Sequence, residues 1–206
     1  RRGLIPPGDF IPLFEKSELI VKLDRYMFEH ACRWYRIYLE QGKRPVSLAI
    51  NVSKAGLFQN DFVDYYTGIK DKYSIPDGFL ELEFTESILA ADTELFAELV
   101  VNLNAHGFIC SLDDFGSGYS SLNLLKNLPI DVLKLDILFF HKSRDIRRER
   151  IVVSNVINMA RELNIKTIAE GVEDMDTVEF LRDAGCNVIQ GYVFAKPMPQ
   201  EDFEHL

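Results

Sequence analysis

The chain is predicted to be an α/β protein, with a closed (β/α) barrel preferred over an open sheet. Three observations point there. Short β-like runs alternate with amphipathic, helix-length segments, the order that builds a parallel sheet. Several of the six β-runs are apolar on both faces, as strands covered on both sides are. Five runs carry a metal-binding or charged side chain at or near their ends: SLAIN at Asn51, LELEFTE at Glu83, FICSLDDF at Asp113 and Asp114, VLKLD at Lys134 and TIAEG at Glu170. An open doubly wound sheet is the alternative, weakened because no glycine-rich phosphate fingerprint follows any strand. A barrel needs about eight strands, so its opening strand or two is expected to be missing from the chain as given.

Residues 3–14 hold three of the eight prolines and predict an entry loop. From Glu15 to Gln41, apolar Leu19, Leu23, Met27, Ala31, Trp34 and Tyr38 recur every three or four residues and predict a long amphipathic helix. SLAINVS then alternates as a strand, and Ser53 is placed to cap a helix from Lys54 to Tyr73. The run Leu80–Thr85 is the next strand, followed by a helix from Ser87 to His106 that Gly107 stops. Strand 108–114, a short helix 120–127, Pro129 and strand 131–136 repeat the order. A helix from Arg144 to Leu163 is read from Ile151, Val152, Val156, Met159, Ala160 and Leu163. Strand 166–170, helix 173–184 and strand 187–193 close the series.

The 206 residues fit one domain spanning the chain, with 47% hydrophobic residues and no Gly/Pro/Ser-rich divide. A formal charge of -9 argues against general nucleic-acid binding, which needs clustered cations, and leaves carboxylates to hold metal ions. Cys32, Cys110 and Cys186 are odd in number, dispersed and set among apolar residues, so they read as buried reduced thiols of a cytoplasmic protein. No apolar run reaches the ~18 residues of a membrane span, and no signal-peptide pattern opens the chain. The abrupt start at Arg1 reads as a piece cut from a longer protein.

In parallel α/β folds, reactive side chains gather at the C-terminal strand ends. Asn51, Glu83, Asp113, Asp114, Glu170 and Gln190 occupy such ends, and Lys134 lies two residues before one. Glu81 shares the parity of Glu83 but lies about 6.6 Å deeper, and is left out. Asp113 and Asp114 can serve one site only if the strand ends there, with Gly116 and Gly118 supplying the turn. Hard oxygen donors without histidine suit Mg²⁺ or Mn²⁺ rather than zinc. Two such ions can assist in-line displacement at phosphorus, with the lysine neutralising charge or orienting water. Any single strand-end acid could equally cap a helix; five together are read as a site. His30, His106, His141 and His205 show no ligand spacing, and Trp34 with Tyr35 and Tyr38 reads as helix packing.

The segments DFIPLFE (9–15), INVS (50–53), LEFTES (82–87), LDDFGSGYSSL (112–122), LKLD (133–136), AEGVE (169–173) and QGYVFAKP (190–197) resemble, in order and over essentially the whole chain, the EAL-domain family of cyclic di-GMP phosphodiesterases. The resemblance implies a TIM-like (β/α)8 barrel of the EAL type that cleaves cyclic di-GMP to linear pGpG. It implies that Asn51, Glu83, Asp113, Asp114 and Glu170 bind two Mg²⁺ or Mn²⁺ ions, with Ca²⁺ inhibitory. Lys134, Glu170 and Asp113 are the implied catalytic residues, Lys134 standing near the attacking water. Gln190, Asp24, Phe10 and Ile11 match substrate-contacting positions, and Glu86 and Glu173 would brace the DFGSGYSS loop that links the metal site to a homodimer. Lys142, Arg144, Arg147, Arg148 and Arg150 precede or begin a helix like the family's dimer region, although a solvated face is preferred for them.

The Glu-Ala-Leu strand itself would lie just before Arg1, so the fragment alone is expected to turn over weakly or not at all. Ser117 replaces the usual threonine, and Ile137 stands where an arginine usually follows KxD. Because each ligand position within the chain is filled, the expected parent is an active output module of a signalling protein, membrane-attached if other domains make it so. A catalytically inactive cyclic di-GMP sensor and a protein-interaction scaffold are the competing expectations.

Overall fold

The computed structural model describes residues 5–17, 19–88, 93–116, 125–136 and 145–205. Its chain divides into two compact units, Arg1–Ser111 with Asn127–Ile130, and Leu112–Lys126 with Asp131–Leu206. The described strands belong to one six-stranded sheet in the order β1-β2-β3-β4-β5-β6.

The first unit begins with a helix where the prolines predict a loop. Helix α1 (Pro7–Lys16) starts on Pro7, because a proline in the first turn lacks only an N–H that would have no helical partner. Helix α2 (Leu19–Glu40) then buries Ile20, Asp24, Phe28, Cys32, Tyr35 and Tyr38. Apart from Tyr38, which both share, that stripe runs one residue out of phase with the predicted one, leaving Leu19 and Met27 exposed. Both stripes satisfy the helical repeat; the buried Asp24 hides the true one from a count of apolar residues.

Strand β1 (Leu48–Asn51) lies parallel to β2 (Leu80–Thr85), in register from Leu48↔Leu80 to Asn51↔Glu83. Between them, the predicted single helix is two: α3 (Lys54–Leu57), capped by Ser53, and α4 (Phe62–Lys72). A 3₁₀ turn (Glu86–Ile88) and α5 (Thr93–Ala105) follow β2. Gly107 ends that segment with φ +78°, as predicted. Phe28 and Phe62 each pack at a tilt against Tyr66 in the core, with ring centroids 4.4 Å apart.

The second unit takes the end of β3 (Ile109–Phe115), β4 (Val132–Asp136), α6 (Ile146–Glu162), β5 (Lys166–Glu170), α7 (Met175–Asp183), β6 (Val188–Ile189) and α8 (Gln200–Phe203). Strands β4 and β5 are parallel from Val132↔Lys166 to Asp136↔Glu170, and β5 pairs with β6. Helix α6 buries Glu149, Val153, Ile157 and Ala160, so Ile151 and Val152 of the predicted stripe are exposed. Strand β6 is two residues long, not seven, because the chain turns back at Gly191. There a Cβ would collide with the Val172 carbonyl oxygen, and Val193 N–H donates to that same oxygen. The predicted helix 120–127 falls largely outside the described residues.

Among the described residues the cysteines are free, Cys32 and Cys110 buried and Cys186 half-buried. None of the described helices is long and apolar enough to cross a membrane.

Candidate active-site residues at the strand ends

In the first unit, register alone makes Asn51 and Glu83 neighbours on one face of the sheet, each at or near the C-terminal end of its strand. Asn51 is exposed, whereas Glu83 is 5% exposed. Val52 N–H donates to the Glu83 carbonyl at 3.0 Å, which carries the pairing past the strand end. Glu81 is buried two residues deeper, paired in register with Ala49.

In the second unit, Lys134 is the centre of a charge cluster. Its Nζ lies 2.8 Å from Glu170 Oε1 and 3.5 Å from Asp113 Oδ1, with the lysine side chain 7% exposed. Lys134 and Asp136 share one face of β4, and Asp136 is in register with Glu170 on β5. The lysine therefore rises from one layer down toward the acids at the rim.

Asp114 has φ +57°, a left-handed conformation that asparagine and aspartate tolerate better than most residues but that still costs about 1 kcal/mol. Its N–H donates to Asp113 Oδ1 at 2.9 Å. The turn expected from Gly116 and Gly118 thus begins at Asp114 itself, before the strand has ended. Although Asp114 is exposed as a residue, partial burial of its carboxyl raises its pKa. The charges of Asp113 and Asp136 raise it further, and Lys134 opposes them. Asp136 is the acid that reading the sequence missed: LKLD was read for its lysine, although its aspartate ends a strand as the others do.

Gln190 follows β6; its N–H donates to the Ala169 carbonyl at 2.8 Å, and its own carbonyl accepts from Val172 N–H at 3.2 Å. It is thereby pinned beside the loop that follows Glu170. Asp24 is 8% exposed on α2, and its Oδ2 accepts from both Ser53 N and Ser53 Oγ. Burial raises its pKa against those two hydrogen bonds. Phe10 and Ile11 are half-buried on α1, and Phe10 packs edge-on against Phe14 at 5.4 Å. Glu86 is half-buried and Glu173 exposed; residues 117–121 of the loop they were expected to brace lie outside the described residues, as does Ile137.

A family model described as the EAL domain matches residues 1–197. The chain belongs to the EAL-domain family. It is 38% identical over 201 residues to the bifunctional diguanylate cyclase/cyclic di-GMP phosphodiesterase MucR of Pseudomonas aeruginosa, covering 98% of this chain and 29% of that protein. It is 36% identical to the cyclic di-GMP phosphodiesterase PdeR of Escherichia coli, covering 98% of this chain and 31% of that one. A solved structure titled as the PaMucR phosphodiesterase in complex with c-di-GMP superposes with a TM-score of 0.91 at 38% identity, covering 98% of this chain and 82% of that chain. The fold of this EAL domain is therefore the TIM-like (β/α) barrel of the family. The chain spans a quarter to a third of the length of the curated relatives it matches.

Proposed function

We propose that this EAL domain hydrolyses one phosphodiester of cyclic di-GMP to give linear pGpG, as the output module of a longer signalling protein. The observation that carries the reading is the Lys134 cluster. A buried ammonium set between Asp113 and Glu170, next to an Asp114 carboxyl whose pKa is raised by burial and then by its acidic neighbours, is a device for handling charge rather than for packing. Membership of a family whose relatives are named cyclic di-GMP phosphodiesterases supports the substrate.

Asn51, Glu83, Asp113, Asp114 and Glu170 fit divalent cations by chemistry, being all oxygen donors, and burial together with the charges of Asp113 and Asp136 raises the pKa of Asp114. They are the residues that would hold Mg²⁺ or Mn²⁺. Bound there, such ions would withdraw charge from the phosphate ester under attack. Ca²⁺, which prefers more ligands at longer distances, would inhibit. Lys134, ion-paired with Glu170 and Asp113, would hold the attacking water by a hydrogen bond. Gln190, fixed by its backbone beside Glu170, would meet the substrate. Asp24 Oδ1, Phe10 and Ile11 would meet a guanine, Oδ2 being taken by Ser53. Glu86 and Glu173 would hold the following loop in a homodimer, in the cytoplasm.

A second reading, binding without cleavage, is favoured by one observation. Among the described residues, no three His, Cys, Asp or Glu side chains stand close enough together to hold a metal ion. The two readings part in one assay: the protein with its natural flanking sequence, incubated with cyclic di-GMP and Mg²⁺ or Mn²⁺ and followed by chromatography. Appearance of pGpG, abolished by Asp113→Ala, is the expected result. Binding with no pGpG would leave the sensor, and no binding would remove both.

A further inference from the structure

The two residues that follow Asn51 are held by two different elements. Val52 N–H donates to the Glu83 carbonyl on β2 at 3.0 Å. Ser53 N and Ser53 Oγ donate to Asp24 Oδ2 on α2, at 3.1 and 2.5 Å. Ser53 Oγ also accepts from Gly56 N at 3.0 Å, which caps α3. The packing leaves no slack, because a Cβ on Gly56 would stand 2.7 Å from Asp24 Oδ2.

Burying a carboxylate at 8% exposure is a large cost for capping a four-residue helix that Ser53 caps already. Nothing among the described residues hydrogen-bonds the Asn51 side chain, so its position is set through its backbone. We infer that Ser53 is a positioning residue. Clamped by Asp24 while Glu83 holds Val52, it fixes the end of β1 from which Asn51 presents its amide oxygen to a divalent cation. This inference rests on the metal reading above for its purpose, but its geometry belongs to this chain's own residues.

The test uses the full-length protein and three variants. Ser53→Ala removes the hydroxyl. Gly56→Ala keeps every polar group and displaces Asp24. Ser53→Thr keeps the hydroxyl. Two readouts are taken without substrate: Mn²⁺ affinity by calorimetry, and the order of the Asn51 side-chain amide by NMR. Ser53→Ala and Gly56→Ala are expected to weaken Mn²⁺ binding about tenfold and to loosen the Asn51 amide, as loss of a supporting residue behind a metal ligand does. Ser53→Thr is expected to stay within about twofold, threonine capping nearly as well as serine.

Wild-type Mn²⁺ affinity and an unchanged Asn51 amide in the first two variants would overturn the inference, even if their thermal midpoints fell. If the wild-type protein bound no Mn²⁺, the metal reading would fail and the Asn51 amide alone would decide. Its loosening would uphold the clamp, and its indifference would end it. Gly56→Ala serves alone if Ser53→Ala does not fold.

Discussion

A lysine ammonium 2.8 Å from Glu170 and 3.5 Å from Asp113, on a side chain 7% exposed, has exchanged water for two carboxylates. Lys134→Met keeps most of the volume and removes the charge, leaving the acids to repel one another. Without divalent ions the loss should be about 3 kcal/mol, read as a lower thermal midpoint. Added Mn²⁺ should raise that midpoint more in Lys134→Met than in the wild type, because the ion replaces the missing positive charge. An equal shift in both proteins would mean that the carboxylates do not share a cation site. Cys32 offers a separate check. Burial, and then the charge of Glu29, push its thiol from 9.0 to about 12. A thiol pKa raised in the folded state stabilises fully below about pH 9, and that contribution is lost as pH rises toward 12. Urea unfolding should therefore show the wild type losing about 1 kcal/mol more than Cys32→Ala between pH 8 and pH 10. At this scale the sequence was legible for residue type and strand-end position. The left-handed backbone of Asp114 and the Asp24–Ser53 lock were not, since neither follows from spacing.

Helix α7 begins at Asp174, whose Oδ1 accepts from Thr177 N at 2.8 Å while Thr177 Oγ1 donates to its Oδ2 at 2.9 Å. Asp174→Ala should cost about 1–2 kcal/mol, seen as a lower urea midpoint with an unchanged slope. A changed slope would point to a different unfolded or native state instead. Strands β2, β4 and β5 could be read to within a residue, because their apolar runs are bounded by turn residues and charges. Helices α2 and α6 were found but turned by one position. A helical repeat fixes the period, while the phase depends on which polar residues are buried, here Asp24 and Glu149. Strand β6 was read too long because a close backbone approach at Gly191, invisible in composition, turns the chain early.

Among the described residues, one arrangement recurs: a strand, a polar residue at or near its C-terminal end, and a helix between it and a later strand. That recurrence made the fold class readable, and the motifs at the strand ends made the family readable. Side chains brought together by different strands were not readable, since their distances depend on register and twist. The central proposal is that Asn51, Glu83, Asp113 and Glu170 would serve one pair of cations. It is tested most directly by anomalous diffraction from crystals of the protein grown with Mn²⁺ and cyclic di-GMP. The account predicts Mn²⁺ peaks about 2.0–2.3 Å from oxygens of these four residues, next to a phosphate of the ligand. Peaks lying elsewhere, or those side chains pointing into separate regions, would contradict it.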